Sequence, residues 1–358
     1  MEMNRIDSDI IKIIRYPLII LVVFIHSMYG GIVINGINIV EKYDLPIYEF
    51  LQTLITHKIA ELAVPTFFFI SGYLFFININ TFSLGIYKNK LKNRFSTLLI
   101  PYIIWNLLYI LFYCLAQTFF PNMMSGNALL IKDYSIIDFI NAFWSGQTGF
   151  PINFPLWYIR DLMIINILTP IIYFLIKYLK TFYIIIISII WILYSYVSLP
   201  GIGTTSICFF SLGAFFAFKK QELHSLPVNL FPISILLYII LISLQFILKD
   251  FEYNYILHNI DIIIGGFSLW GCIGLLIDKK ILNTECNSNS TFFIYAYHAI
   301  PLIILCKVIV KIFEPSSDII ISLIYVISPI IIVLIGDILY KRIKRLSPAL
   351  IKLICGNR

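Results

Sequence analysis

Residues Arg15 to His26, RYPLIILVVFIH, decide how the chain is read. An arginine opens the stretch, uncharged and largely apolar residues follow, and a histidine closes it. At ~1.5 Å of rise per residue, a helix lifts the imidazole roughly 16 Å above the guanidinium. In a bilayer with a hydrocarbon core about 30 Å thick, that ring lies near mid-depth. It is too deep to snorkel, so it needs a partner or an aqueous cavity.

The remainder of the chain supports a bilayer setting. Of 358 residues, 60% are hydrophobic and 13% are charged, whereas soluble domains carry about 25% charge. A water-soluble core cannot absorb this much Ile, Leu and Phe, so the composition predicts an all-α, polytopic membrane helical bundle. Ten apolar stretches are read as transmembrane helices: 13–35, 56–77, 96–120, 156–176, 181–200, 203–218, 230–248, 256–277, 291–313 and 317–340. The first has no small-residue cleavage site and is read as a retained helix, not a signal peptide. No internal repeat or soluble segment interrupts the pattern, so residues 1–358 are expected to form a single membrane-embedded domain.

Charge sets the orientation. With the N-terminus inside, 19 of the 26 Lys and Arg residues fall in cytoplasmic segments, among them Arg5, Lys88–Arg94, Lys219–Lys220 and the run from Lys341 to Arg358. The reverse orientation inverts that ratio and violates the positive-inside rule. Both termini are therefore expected in the cytoplasm. The net charge of +7 is spread through short loops, which argues against nucleic acid as a partner. The six cysteines, Cys286 among them, form no CxxC and no ligand-like pairing with histidine, so neither disulfides nor a metal site is expected.

Ionisable residues inside apolar stretches are the candidate site. Arg15 is read at the cytoplasmic mouth of the first helix, where an anchoring arginine is the structural alternative. His26 lies deep along it, Glu61 near the outer end of the second, and Arg160 and Asp161 one turn into the fourth. An ion pair snorkelling outward would explain the last two. His258 and Asp261, at a helix start, are read as complementing the helix dipole, and Asp337 as an i,i+4 partner of Lys341. His298 could hydrogen-bond a neighbouring helix. A basic inner rim (Arg15, Lys88, Lys90, Lys92, Arg94) suits a phosphate-bearing ligand. An outer group of Glu61, Arg160 and Asp161, beside Trp157 and Tyr158, suits a hydroxylated one. A deep imidazole between them could carry a proton.

These features resemble those of acyltransferase family 3, integral-membrane enzymes that acylate bacterial surface carbohydrates. Arg15-x10-His26 is similar to the family's first-helix signature. VPTFFFISGYLFF (Val64 to Phe76), NRFSTLLIPYIIW (Asn93 to Trp105), FPLWYIRDL (Phe154 to Leu162) and FFIYAYHAIPL (Phe292 to Leu302) resemble its later landmarks, in order. The resemblance implies O-acetyl transfer from cytoplasmic acetyl-CoA, as acyl-donor substrate, to a carbohydrate or lipid-linked sugar at the outer face of the inner membrane. It implies His26 as the catalytic residue, either general base or acyl-carrying nucleophile, with Arg15 on the coenzyme side. Arg94 matches the basic position before the third helix. Leu91 stands where relatives often have a second arginine, and Lys90 and Lys92 are its expected substitutes. Glu61, Trp157, Arg160, Asp161 and His298 are expected to support the acceptor side, and no metal takes part. The rival reading is a transporter or flippase for a lipid-linked sugar. Matched broken helices would favour it, and the sequence displays none.

Overall fold

The computed structural model describes residues 5–27, 33–34, 37–38, 43–79, 81–120, 129–145, 149–219, 230–282, 288–313 and 316–356. Lys220, Cys286 and Arg358 lie outside them. In chain order the helices are α1 (Arg5–Ile25), α2 (Pro46–Leu54), α3 (Ala63–Phe76), α4 (Leu84–Arg94), α5 (Ile100–Phe119), α6 (Ile136–Trp144), α7 (Trp157–Ile167), α8 (Thr169–Leu179), α9 (Thr181–Tyr194), α10 (Thr204–Phe218), α11 (Leu230–Ile247), α12 (Asn254–Asp278), α13 (Thr291–Tyr297), α14 (Ala299–Phe313), α15 (Asp318–Leu346) and α16 (Pro348–Cys355). The only strands among the described residues form two-residue hairpins, Val33–Ile34 with Ile37–Asn38 and Ser198–Leu199 with Ile202–Gly203. This is an all-α membrane protein.

Among the described residues, five helical stretches are long and apolar enough to cross a membrane: Pro46–Phe76, Leu84–Phe119, α11, α12 and α15. Counting two bent pairs as single spans raises this to seven. The pairs are Phe154–Ile167 with α8, bent by 61°, and α13 with α14, bent by 55°. Proline accounts for both bends. Pro170 has no N–H for the Asn166 carbonyl, which instead accepts from Thr169 Oγ1 at 2.8 Å. Pro301 likewise has none for the carbonyl of Tyr297. The sequence reading drew these as the single stretches 156–176 and 291–313, and the bends correct that.

Other expectations also shift. Stretches 181–200 and 203–218 fold as the shorter helices α9 and α10, roughly 21 Å long for 14 residues. The Pro200–Gly201 turn, with Gly201 at φ +99°, joins them through the second hairpin. The first helix sits further toward the N-terminus than its apolar window. Within it Asp7 is buried and accepts from Tyr73 Oη at 3.4 Å. It stops at Ile25, so Arg15 is mid-helix and His26 follows the last turn. α1 is not among the five spans, since its last 18 residues contain Asp9, Lys12 and Arg15.

The chain divides into two compact units, with breaks inside continuous helices. The first comprises Met1–Val22, His57–Leu91 and Ile164–Ser288. In it α3 and α10 touch backbone to backbone. A Cβ on Gly72 would lie 2.1 Å from the Phe210 carbonyl oxygen, and one on Gly213 2.0 Å from that of Phe69. Small residues let membrane helices approach this closely. α11 meets α12 through a Ser268–Ser234 hydrogen bond of 2.9 Å and through Gly271, which receives the Phe231 ring.

The second unit comprises Val23–Thr56, Lys92–Met163 and Asn289–Arg358. The Asp318 carboxylate accepts from the Ile47 and Tyr48 N–H groups at 2.7 and 2.9 Å, capping α2 from α15. At the other end of α15, Lys341 pairs with Asp337 at 2.5 Å, as the i,i+4 spacing implies. α16 docks on α5 through Trp105 Nε1, which donates to the Ile354 carbonyl at 2.9 Å.

Candidate active site

His26 is held by its backbone neighbours in the second unit. The Phe24 carbonyl accepts from Ser27 N–H at 3.0 Å and from Thr56 Oγ1 at 3.0 Å. The Thr56 hydroxyl meets Tyr325 Oη at 2.8 Å, and Ser27 Oγ donates to the Tyr325 carbonyl at 3.4 Å. With both flanks tied to α15, the backbone at His26 is held in place, and the residue stays partly exposed. Phe154 meets it edge-on at 4.8 Å, and the His298 ring stacks on it at 5.2 Å with 26° between planes.

His298 occupies the bend between α13 and α14 and is fully buried. Its Nδ1 lies 2.8 Å from the Tyr295 carbonyl and 3.1 Å from that of Ile294. Carbonyls only accept, so Nδ1 carries the hydrogen and the neutral ring presents a bare lone pair at Nε2. That atom is buried and meets no hydrogen-bond partner among the described residues. The bend therefore orients this histidine and fixes its tautomer.

The other wall is the segment before α7. Asn153, fully buried, donates from its backbone N–H to Asn106 Oδ1 at 3.1 Å and from Nδ2 to the Ala296 carbonyl at 3.0 Å. The Tyr295 hydroxyl donates to the Pro155 carbonyl, tying this segment to α13 again. Arg160 and Asp161 pair at 3.0 Å with only 4% and 3% of each residue exposed. Arg160 also donates to the carbonyls of Trp144 and Gly149 and lies over the Trp144 ring. The pair is thus a buried brace that ties Trp144 and Gly149 to α7, not a group snorkelling outward. Trp157 is half-buried at the start of α7. Arg94 is half-buried and Lys92 exposed on α4.

The remaining candidates belong to the first unit. Arg15 is half-buried on α1. Lys90 donates to the Phe75 carbonyl and lies over the Phe75 ring at 5.0 Å. Glu61, where a π-turn (Ile55–Ile59) runs into a 3₁₀ turn, accepts from or shares a proton with His258 Nε2 at 2.6 Å. His258 Nδ1 lies 3.6 Å from buried Asp261, which Gln245 also contacts, and Lys58 donates to Gln245 at 2.6 Å. His258 and Asp261 therefore bridge helices and do more than complement a helix dipole. Their i,i+3 spacing on α12 was the available signal. Asn153, between Pro151 and Pro155, was also missed in the sequence reading. A polar residue between prolines in an apolar chain marks a rigid non-helical corner.

The stacked pair can do proton chemistry. His26 is partly exposed and no described hydrogen bond holds its tautomer, so either ring nitrogen can take a proton. His298, locked and buried, can only accept at Nε2. No curated protein and no solved structure matches the chain. A family model, Acyl_transf_3, described as an acyltransferase domain, matches residues 9–341. That match takes in both histidines and nearly the whole chain, which therefore belongs to the Acyl_transf_3 family of acyltransferases.

Proposed function

We propose that this membrane acyltransferase moves an acetyl group from cytoplasmic acetyl-CoA to a hydroxyl of a carbohydrate at the outer face of a bacterial inner membrane. The observation that carries this reading is the partly exposed His26, stacked on a tautomerically locked His298, in a chain of this family. His26 acts as general base and takes the proton from the acceptor hydroxyl. The oxygen attacks the thioester carbonyl, and the tetrahedral intermediate collapses as the C–S bond breaks. The departing thiolate takes the proton back from the imidazolium. The products are the acetyl ester and free coenzyme A.

The loop charges support ten crossings with both termini cytoplasmic. Arg15, Lys90, Lys92 and Arg94 are the sequence's candidates for the nucleotide phosphates. Glu61, Trp157, Arg160, Asp161 and His298 are its candidates for the acceptor side. Of these, Arg160 and Asp161 act by bracing the segment that holds Phe154. An open, apolar recess of about 570 Å³ in the second unit, lined by Trp105, Tyr109, Phe112, Tyr297, Pro301 and Ile332, has the lining that the chain of a lipid-linked sugar would need.

The test is thiol release from acetyl-CoA by the protein in liposomes, with a lipid-linked sugar extract as acceptor. His26→Ala is expected to lower turnover about 10²- to 10⁴-fold, and Arg15→Ala to weaken coenzyme A binding. Absence of coenzyme A binding in folded wild-type protein would sink the proposal in favour of the transporter.

A further inference from the structure

Among the described residues, one buried acceptor atom of His298 and one of Asn153 have no donor. His298 Nε2 is one, bare because Nδ1 holds the hydrogen. Asn153 Oδ1 is the other. Its orientation is forced, because turning the amide over would set Oδ1 against the Ala296 carbonyl that Nδ2 now serves at 3.0 Å. Every other polar atom of Asn153 is engaged: its N–H with Asn106, its carbonyl with Leu156 N–H at 2.9 Å. Phe154, next to Asn153, touches His26 edge-on, and His298 covers its face. Asn153 also binds the turn of α13 that leads into His298.

A buried acceptor left unpaired is costly, and one on the ring stacked against His26, with a second on the residue preceding Phe154, asks for a ligand rich in donors. We propose that Asn153 Oδ1 and His298 Nε2 form a seat that accepts hydrogen bonds from hydroxyls of the acceptor. The seat selects a polyol in an orientation that turns one hydroxyl toward His26. This rests on the acyl-transfer reading above and extends it to a binding role for Asn153 and a stated atom of His298. A phosphate or carboxylate does not suit two lone pairs, whereas a sugar does. The amide N–H groups of the pantetheine arm share the same donor chemistry, and the experiment separates the two sources.

The experiment measures apparent KM for the lipid-linked sugar extract and for acetyl-CoA separately, in liposomes. The variants are Asn153→Leu, His298→Phe, which keeps a stacking ring, and His298→Gln, whose amide can serve the carbonyls and still offer an oxygen. The expected result is an extract KM raised about tenfold or more in Asn153→Leu and His298→Phe. His298→Gln should recover part of that loss, with KM for acetyl-CoA roughly unchanged throughout. A rise in the acetyl-CoA KM instead would overturn the proposal by assigning the seat to the pantetheine amides. Changes in kcat alone, or no change, would make the two atoms water-filled structural sites and overturn it too. A wild type without turnover would fail the acyl-transfer reading first, a result distinct from either.

Discussion

Replacing Arg160 by methionine tests what the buried pair does. The guanidinium is 4% exposed, lies 3.0 Å from the Asp161 carboxylate, and serves the Trp144 and Gly149 carbonyls. The substitution keeps most of the volume but leaves a carboxylate with 3% exposure deprived of its cation. Breaking a buried pair from one side costs about 3–5 kcal/mol. The Arg160→Met, Asp161→Leu double variant removes both charges, and replacing a whole pair with apolar groups is often near neutral. The double variant should therefore recover most of the loss, leaving about 1 kcal/mol per carbonyl that no longer receives a hydrogen bond. Thermal unfolding in detergent, followed by the monodisperse fraction on size-exclusion chromatography, orders the three proteins. A single variant within about 1 kcal/mol of wild type, or a double variant no better than the single, would refute the argument from charge burial. Since the brace adjoins the segment bearing Phe154, the single variant should also lower turnover, and the double should regain less turnover than stability.

Gly213→Leu would drive a side chain into the Phe69 carbonyl, 2.0 Å from where its Cβ would sit. Backbone cannot yield as a side chain does, so a loss beyond the usual 1–3 kcal/mol of overpacking is expected, read as aggregation in detergent. Pro301→Ala restores an N–H for the Tyr297 carbonyl and should reduce the 55° bend. With His298 displaced, turnover should fall although the protein stays folded; unchanged turnover would deny the bend its role. In the capping box of α6, the Ser135 hydroxyl and backbone N–H hold the Asp138 carboxyl below its ordinary value. The stabilisation is therefore present above the usual carboxylate range, about 3.9, and lost as pH falls through the lowered value. Amide protection factors in Ile136–Trp144, corrected for the intrinsic exchange rate at each pH, should fall under acid and lose that dependence in Asp138→Asn.

What was legible in the sequence follows from local rules. Low charge and long apolar runs dictate a helical membrane protein, because lipid offers the backbone no other partners. Asp337-x3-Lys341 marked an ion pair, since that depends on spacing alone. The Arg15-x10-His26 signature, with its four companions, was enough to point to the family. What sequence could not decide depends on groups distant along the chain. Tyr73 meets the buried Asp7 of α1 from another helix, Asp318 caps α2 across 271 residues of chain, and His298 stacks on His26 from near the other end of the chain. Asn153 was missed in the sequence because its role depends on Ala296 and Asn106, which take its donors. Burial, tautomer and the unpaired lone pair are properties of an enclosure. An apolar pattern places a residue in a helix; only packing decides which of its atoms are left without a partner.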